Sequence, residues 1–206
     1  MARIMRKPTG REMMKIVQGV SRGATVIYPT ETCYGLGASA LDKKAVKRVY
    51  DIKDRDLNRD LICIVPSVEQ AKKYGYLHED ELRLCREFMP GPLTLIVNKK
   101  RRLPELVNEK FAFRVPGSTM ARLLSKEIST PLVSTSANPS GGRNPYSVSD
   151  IPQQILEEVD YVVDYGQLEQ TQPSTVCEVF DGEAKVYREG PISKQEIDKV
   201  LSISPK

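Results

Sequence analysis

Three hydroxyl-rich segments carry most of the side chains in this sequence that could do chemistry on a small polar ligand. They are Pro29-Thr-Glu-Thr-Cys-Tyr-Gly-Leu-Gly37, Ser134-Thr-Ser-Ala-Asn-Pro-Ser-Gly-Gly142 and Pro173-Ser-Thr175. Each follows a predicted strand, and in α/β sheets ligands bind beyond the carboxyl ends of strands, so such segments tend to converge. Taken singly, Ser, Thr, Asn and Gly are also ordinary turn formers. Three of these segments, with isolated basic residues nearby, favour a site. The basic candidates are Lys53, Arg55, Arg59, Arg114 and Arg188. Lys53 and Arg55 are two apart, and both point to one side if the segment is extended after its helix. Arg114 is embedded in the apolar run Phe111-Ala-Phe-Arg-Val-Pro116, where a guanidinium needs an anionic partner or a wet cavity. For Arg188 an ordinary ion pair is a fair alternative. Lys53, Arg55 and Arg114 together favour an anion-binding cavity that holds phosphate and carboxylate groups.

Other chemistries are disfavoured. The chain has one histidine, His78, in Tyr76-Leu-His-Glu-Asp-Glu81, which reads as an exposed helix start, so a histidine-assisted nucleophile has no convincing base. Four cysteines, Cys33, Cys63, Cys85 and Cys177, show no C-x-x-C spacing. They read as small buried hydrophobes in a reducing compartment, and no zinc or other metal site is expected. There is no phosphate-binding G-x-x-x-x-G-K-[ST] loop. Gly35-Leu-Gly37-Ala-Ser-Ala40 matches G-x-G-x-x-A, but Pro29 to Tyr34 separate it from the preceding strand and Gly37 leads into a second extended piece. The dinucleotide-fold reading is rejected on that ground.

The elements that must position these residues alternate along the chain. Of 206 residues, 40% are hydrophobic and 28% charged, which fits a globular domain able to bury one substantial core. Helices are predicted from the capping box Thr9-Gly-Arg-Glu12 to Gly23, after Asp42, over 67–74, 79–89, 118–127 and 150–158, and from the capping box Ser193-Lys-Gln-Glu196 to Leu201. Strands are predicted at 24–28, 61–65, 93–97, 111–115, 131–134, 161–164 and 175–180, with Asp181-Gly182 turning a hairpin back through 184–188. The all-apolar run Leu61-Ile-Cys-Ile-Val65 suits a strand covered on both faces. The expectation is one α/β domain over 1–206, its core at about 10–200, built on a mixed sheet flanked by helices. No apolar stretch approaches a membrane span and no secretory signal is visible, so a cytoplasmic protein without a membrane partner is expected. The net charge of +4 permits an anionic ligand or nucleic acid without demanding either.

The ordered series Tyr28-Pro-Thr-Glu-Thr-Cys-Tyr-Gly-Leu-Gly37, Lys53-Asp-Arg55, Pro90-Gly-Pro-Leu-Thr94, Arg114-Val-Pro116, Ser134-Thr-Ser-Ala-Asn138, Pro173-Ser-Thr-Val176 and Arg188-Glu-Gly190 resembles the YrdC/YciO family over essentially the whole chain. The stretches Lys53–Asp60 and Gln170–Thr175 look more like the YciO branch. The resemblance implies a twisted open α/β sheet with a large basic cavity. It implies synthesis of L-threonylcarbamoyladenylate from L-threonine, bicarbonate or CO2, and ATP, with pyrophosphate released and Mg2+ accompanying the nucleotide. The adenylate then serves modification of a tRNA adenosine through downstream threonylcarbamoyl-transfer proteins. By resemblance, Thr32, Arg114, Ser134 and Ser174 contact threonine. Lys53, Arg55, Arg59, Ser136, Asn138 and Arg188 face the nucleotide or the carbamate, with Lys53 and Arg55 as the catalytic cations. An RNA- or ribosome-binding protein of the YciO branch is the alternative, as is a related enzyme acting on threonylcarbamoyl-AMP. The scarcity of aromatics, 6% of residues, weighs against a dedicated RNA surface.

Overall fold

Short β-branched runs become strands in this chain because both of their faces find cover. The computed structural model describes residues 2–57, 59–100, 103–104 and 110–202. Its strands are β1 (Arg3–Arg6), β2 (Val26–Pro29), β3 (Tyr34–Ser39), β4 (Ile62–Ile64), β5 (Leu93–Asn98), β6 (Lys110–Arg114), β7 (Leu132–Ser136), β8 (Tyr161–Asp164), β9 (Thr175–Phe180) and β10 (Glu183–Arg188). They form one sheet in the order β1-β8-β2-β3-β7-β4-β6-β5-β9-β10. Pairing is parallel for β1/β8, β2/β8, β4/β6 and β5/β9, and antiparallel for β2/β3, β3/β7, β4/β7, β5/β6 and β9/β10. The mixed α/β sheet is therefore as expected.

The helices are α1 (Gly10–Ser21), α2 (Lys43–Ile52), α3 (Val68–Ala71), α4 (Glu79–Phe88), α5 (Thr119–Ile128), α6 (Gln153–Glu158) and α7 (Lys194–Leu201). Side chains of α1 and α5 pack on one face of the sheet with Val26, Tyr28, Ile64, Leu132 and Val163. Those of α2, α4, α6 and α7 pack on the other with Ile27, Cys63, Val133 and Val162. Neighbouring residues of one strand thus serve opposite cores, as the period of two requires, and this is why 61–65 is apolar throughout. Both capping boxes form: Glu12 accepts from the Thr9 amide at 2.8 Å, and Glu196 from the Ser193 amide at 2.8 Å. Asp181 and Gly182 both have positive φ, 49° and 81°, the signature of the type I′ hairpin turn.

Some boundaries differ from expectation. The helix predicted over 67–74 stops at Ala71, and Tyr74 instead turns its ring into the core beside Phe111. The segment 150–158 divides into a 3-10 turn, Val148–Asp150, and α6, because Pro152 disfavours helical backbone at Ile151. A strand at Arg3–Arg6, outside the expected 10–200 core, was not signalled: two of its four residues are arginines. It adds to the sheet edge in parallel with β8. No helix among the described residues is long and apolar enough to cross a membrane.

Candidate active site

The turn after β2 is organised by one hydroxyl. Thr30 Oγ1 donates to Cys33 O at 2.7 Å, accepts from the amides of Thr32 and Cys33 at 3.1 and 3.2 Å, and lies 2.9 Å from Thr32 Oγ1. This places Thr32 and Cys33 against β7, where Ser134 is oriented by the buried phenol of Tyr28, which donates to its Oγ at 2.7 Å. Burial pushes the Tyr28 phenol above its ordinary value, so it stays a donor. Gly35 leaves room there, since a Cβ would stand 3.3 Å from Ser134 Oγ.

From the opposite side, β6 ends in Arg114. Its side chain is 7% exposed, and Nη1 lies 3.3 Å from Glu31 Oε1. That contact is an ion pair without hydrogen-bond geometry: among the described residues, Arg114 Nε and Glu31 Oε1 both lack a hydrogen-bond partner. Glu31 Oε2 also accepts from the Ser118 amide at the start of α5, at 3.2 Å. Ser174, immediately before β9, and Arg188, at the end of β10, complete the wall. Arg188 Nε donates to Ser174 O at 3.0 Å and Nη2 to Ser174 Oγ at 3.2 Å. Gly190 makes this approach possible, because a Cβ there would fall 2.1 Å from Pro173 O.

Thr32, Arg55, Arg114, Ser134, Ser136, Ser174 and Arg188 line one cavity of about 210 Å3. Arg114 lines the same cavity as residues of all three hydroxyl segments, whereas Lys53 is not among the lining residues. The cavity is smaller than the large one expected, and falls below the roughly 300–1,000 Å3 of drug-sized ligand pockets. A wider recess of about 970 Å3 opens beyond β1 and β8, but it contains none of the hydroxyl-segment residues named above. Its Arg6 is paired with Asp164 at 3.0 Å.

Three expected residues do not line the cavity. Lys53 is the C-cap of α2, and Asp54 follows in left-handed backbone with φ 47°, so the segment turns instead of running extended. Arg55 reaches the cavity while Lys53 is buried behind it. Lys53 Nζ donates to Ser136 O and Asn138 O, each at 2.5 Å, and to Asn138 Oδ1 at 3.0 Å. All three ammonium protons are therefore used on the loop that presents Ser136. Burial, and then the charge of Arg55, bring Lys53 down to about 8. Asn138 is equally occupied, donating from Nδ2 to Gly142 O and Arg143 O at 2.6 and 3.0 Å. The Arg59 side chain is exposed; its carbonyl accepts from Tyr50 Oη at 3.0 Å and Arg55 Nε at 3.4 Å. Asn58, beside it, lies outside the described residues.

Cys33 sits where these charges meet: Arg114 and Lys53 both pull its thiol down, against a larger upward push from burial. Burial drives Cys63, Cys85 and Cys177 up to about 12, and all four thiols are free and buried, as expected of packing residues. Sequence reasoning passed over Thr30 as a hub, Glu31 as the counter-ion of Arg114, and Tyr28 and Thr94 behind the cavity wall. Only Glu31 carried a signal, as an acid next to two threonines in the first hydroxyl segment. The described residues hold no group of three or more His, Cys, Asp or Glu able to hold a metal ion, and Asp60 is the one carboxylate lining the cavity. That donor set does not fit a resident Mg2+.

A family model for Sua5, YciO and YrdC, described as Telomere recombination, matches residues 18–190. A Methanocaldococcus jannaschii protein provisionally named threonylcarbamoyl-AMP synthase is 37% identical over 179 residues, 86% of this chain and 85% of its own. A Pyrococcus abyssi threonylcarbamoyl-AMP synthase is 33% identical over 193 residues, 91% of this chain but only 57% of its own length. Among solved structures, P. abyssi Sua5 complexed with L-threonine superposes with a TM-score of 0.87 at 29% identity, over 98% of this chain and 61% of that one. Escherichia coli YciO superposes with a TM-score of 0.86 at 24% identity, over 96% and 100%, and bears on the fold alone. By the extent of the sequence match, the chain belongs to the Sua5/YciO/YrdC family.

Proposed function

We propose that the chain is an ATP-dependent L-threonylcarbamoyladenylate synthase. The carrying observation is Arg114: a buried guanidinium lining a hydroxyl-rich cavity, in a loose ion pair with Glu31 at 3.3 Å. A substrate carboxylate in that cavity gives the guanidinium a closer anion than Glu31 does. In support, relatives carry the name threonylcarbamoyl-AMP synthase, and a similar structure was solved with L-threonine. Thr32, Ser134 and Ser174 then read the amino acid. A small amino acid suits about 210 Å3, while the adenosine of ATP extends across the mouth, where Arg188 is exposed.

The reaction needs no enzyme nucleophile, which agrees with four buried thiols and one exposed histidine. The threonine amine adds to CO2 and loses a proton, giving an N-carbamate. A carbamate oxygen attacks the α-phosphorus in line, the bond to the bridging oxygen breaks, and pyrophosphate leaves. The protein contributes position and fixed positive charge. Arg55, Arg188 and Ser136 face the phosphates; Lys53 and Asn138 hold the Ser136 loop, and the Arg59 carbonyl holds Arg55. Mg2+ enters on the triphosphate, as part of the substrate. On this reading the product supplies downstream proteins that modify a tRNA adenosine, and the chain works as a cytoplasmic protein. The test is mass detection of the adenylate after incubation with ATP, threonine and bicarbonate. Pyrophosphate release requiring all three is expected, and salt-sensitive RNA binding without any release would overturn the reading in favour of an RNA-binding protein.

A further inference from the structure

The Pro90-Gly-Pro-Leu-Thr94 motif forms no part of the cavity lining, yet its threonine reaches the wall from behind. Thr94 on β5 is wholly buried, and its hydroxyl lies 3.0 Å from Ser174 Oγ. The parallel register of β5 and β9, with Leu93 opposite Thr175 and Thr94 opposite Val176, fixes that approach. Ser174 Oγ also accepts from Arg188 Nη2 at 3.2 Å.

A serine hydroxyl has one donor hydrogen and two acceptor lone pairs. Among the described residues, Ser174 Oγ is the only side-chain partner of the Thr94 hydroxyl. If Ser174 donated to Thr94, the Thr94 proton would be buried without an acceptor, an arrangement native structures avoid. Ser174 borders the cavity and has somewhere else to point its hydrogen. We infer that Thr94 is a positioning residue that donates to Ser174 and, together with Arg188, fills both acceptor sites of its oxygen. Ser174 then faces the cavity as a donor only. The ligand atom opposite it is an acceptor, a carboxylate, carbamate or hydroxyl oxygen, and not an ammonium group. This rests on the reading that threonine occupies the cavity.

The test is calorimetric titration of the full chain with L-threonine, using Thr94→Val, Thr94→Ser, Ser174→Ala and the double variant Thr94→Val/Ser174→Ala. Thr94→Val keeps the shape and removes the donor; it should weaken threonine binding about five- to tenfold, the scale of one neutral hydrogen bond. Thr94→Ser should bind within about twofold of wild type, and MgATP binding should be unchanged in both. The double variant should bind no more weakly than Ser174→Ala, because the Thr94 effect passes through Ser174. Should Thr94→Val fail to fold, Thr94→Cys reads the same cycle with a weak donor. Wild-type affinity in Thr94→Val, or full additivity in the double variant, overturns the positioning role alone. Wild-type protein that binds no threonine overturns the proposed function, and this role with it.

Discussion

An arginine saturated by its own protein has little to offer a ligand, and Arg114 is not saturated. Its geometry makes a sharp prediction: Arg114→Lys keeps the charge but loses the planar fork, so the threonine KM should rise about 10- to 100-fold, the worth of one charge-assisted hydrogen bond. Steady-state pyrophosphate release with varied threonine checks this, and an unchanged KM would remove Arg114 from the carboxylate site. Lys53 gives a second prediction, in pH. Its folded value of about 8 lies below its ordinary 10.5, so between those values the unfolded chain binds more protons. The stability this group contributes is present above about 10.5 and is lost as pH falls through about 8. Activity should move the other way, since deprotonation removes one of the three N–H donors on the Ser136 loop. A kcat profile falling with an apparent pKa near 8, while denaturation midpoints rise from pH 8 towards 10, is the expected pair of curves. Arg114 was legible in the sequence because a charge inside an apolar strand demands a reason. The turn that sends Lys53 away from Arg55 was not, because it depends on left-handed backbone at Asp54, a residue that adopts it without a local sequence mark.

At the scale of elements, the site depends on how closely the return of β10 passes the start of β9. Gly190 is the point of contact: an added Cβ would meet Pro173 O at 2.1 Å and Thr175 N at 2.8 Å, both backbone atoms with little freedom to yield. Gly190→Ala should therefore cost on the order of 1–3 kcal/mol and displace Ser174. Gly10→Ala, at the open first position of α1, is the control and should be close to neutral. Thermal melts paired with threonine titration distinguish a displaced site from a merely weakened fold. Caps and hairpin were readable beforehand because their signals are local: Thr9 with Glu12, Ser193 with Glu196, and Asp181-Gly182. β1 was not, because its strand conformation comes from pairing with β8, more than 150 residues further along the chain, and its exposed arginines are those of an edge. The contact between Thr94 and Ser174 is equally non-local, joining residues 80 apart.

For the whole molecule, a net charge of +4 spread over 206 residues is small, and what matters is how its cations are buried. Arg114 is enclosed, with 7% of its side chain exposed, whereas Arg55 is half-buried and Arg188 exposed at the mouth. Salt screens exposed charges over about 8–10 Å at physiological strength but acts far less on enclosed pairs. The two substrates should therefore respond differently to ionic strength. Raising salt from about 0.05 to 0.5 M should weaken MgATP several-fold, because the mouth cations act through solvent, and should change threonine affinity by less than about twofold. Titrating each ligand separately across that range measures the difference directly. Equal sensitivity of both ligands would mean that threonine does not reach Arg114. It would mean instead that both bind at the rim, and the buried guanidinium would then serve only to tie Glu31 and the start of α5 to the end of β6.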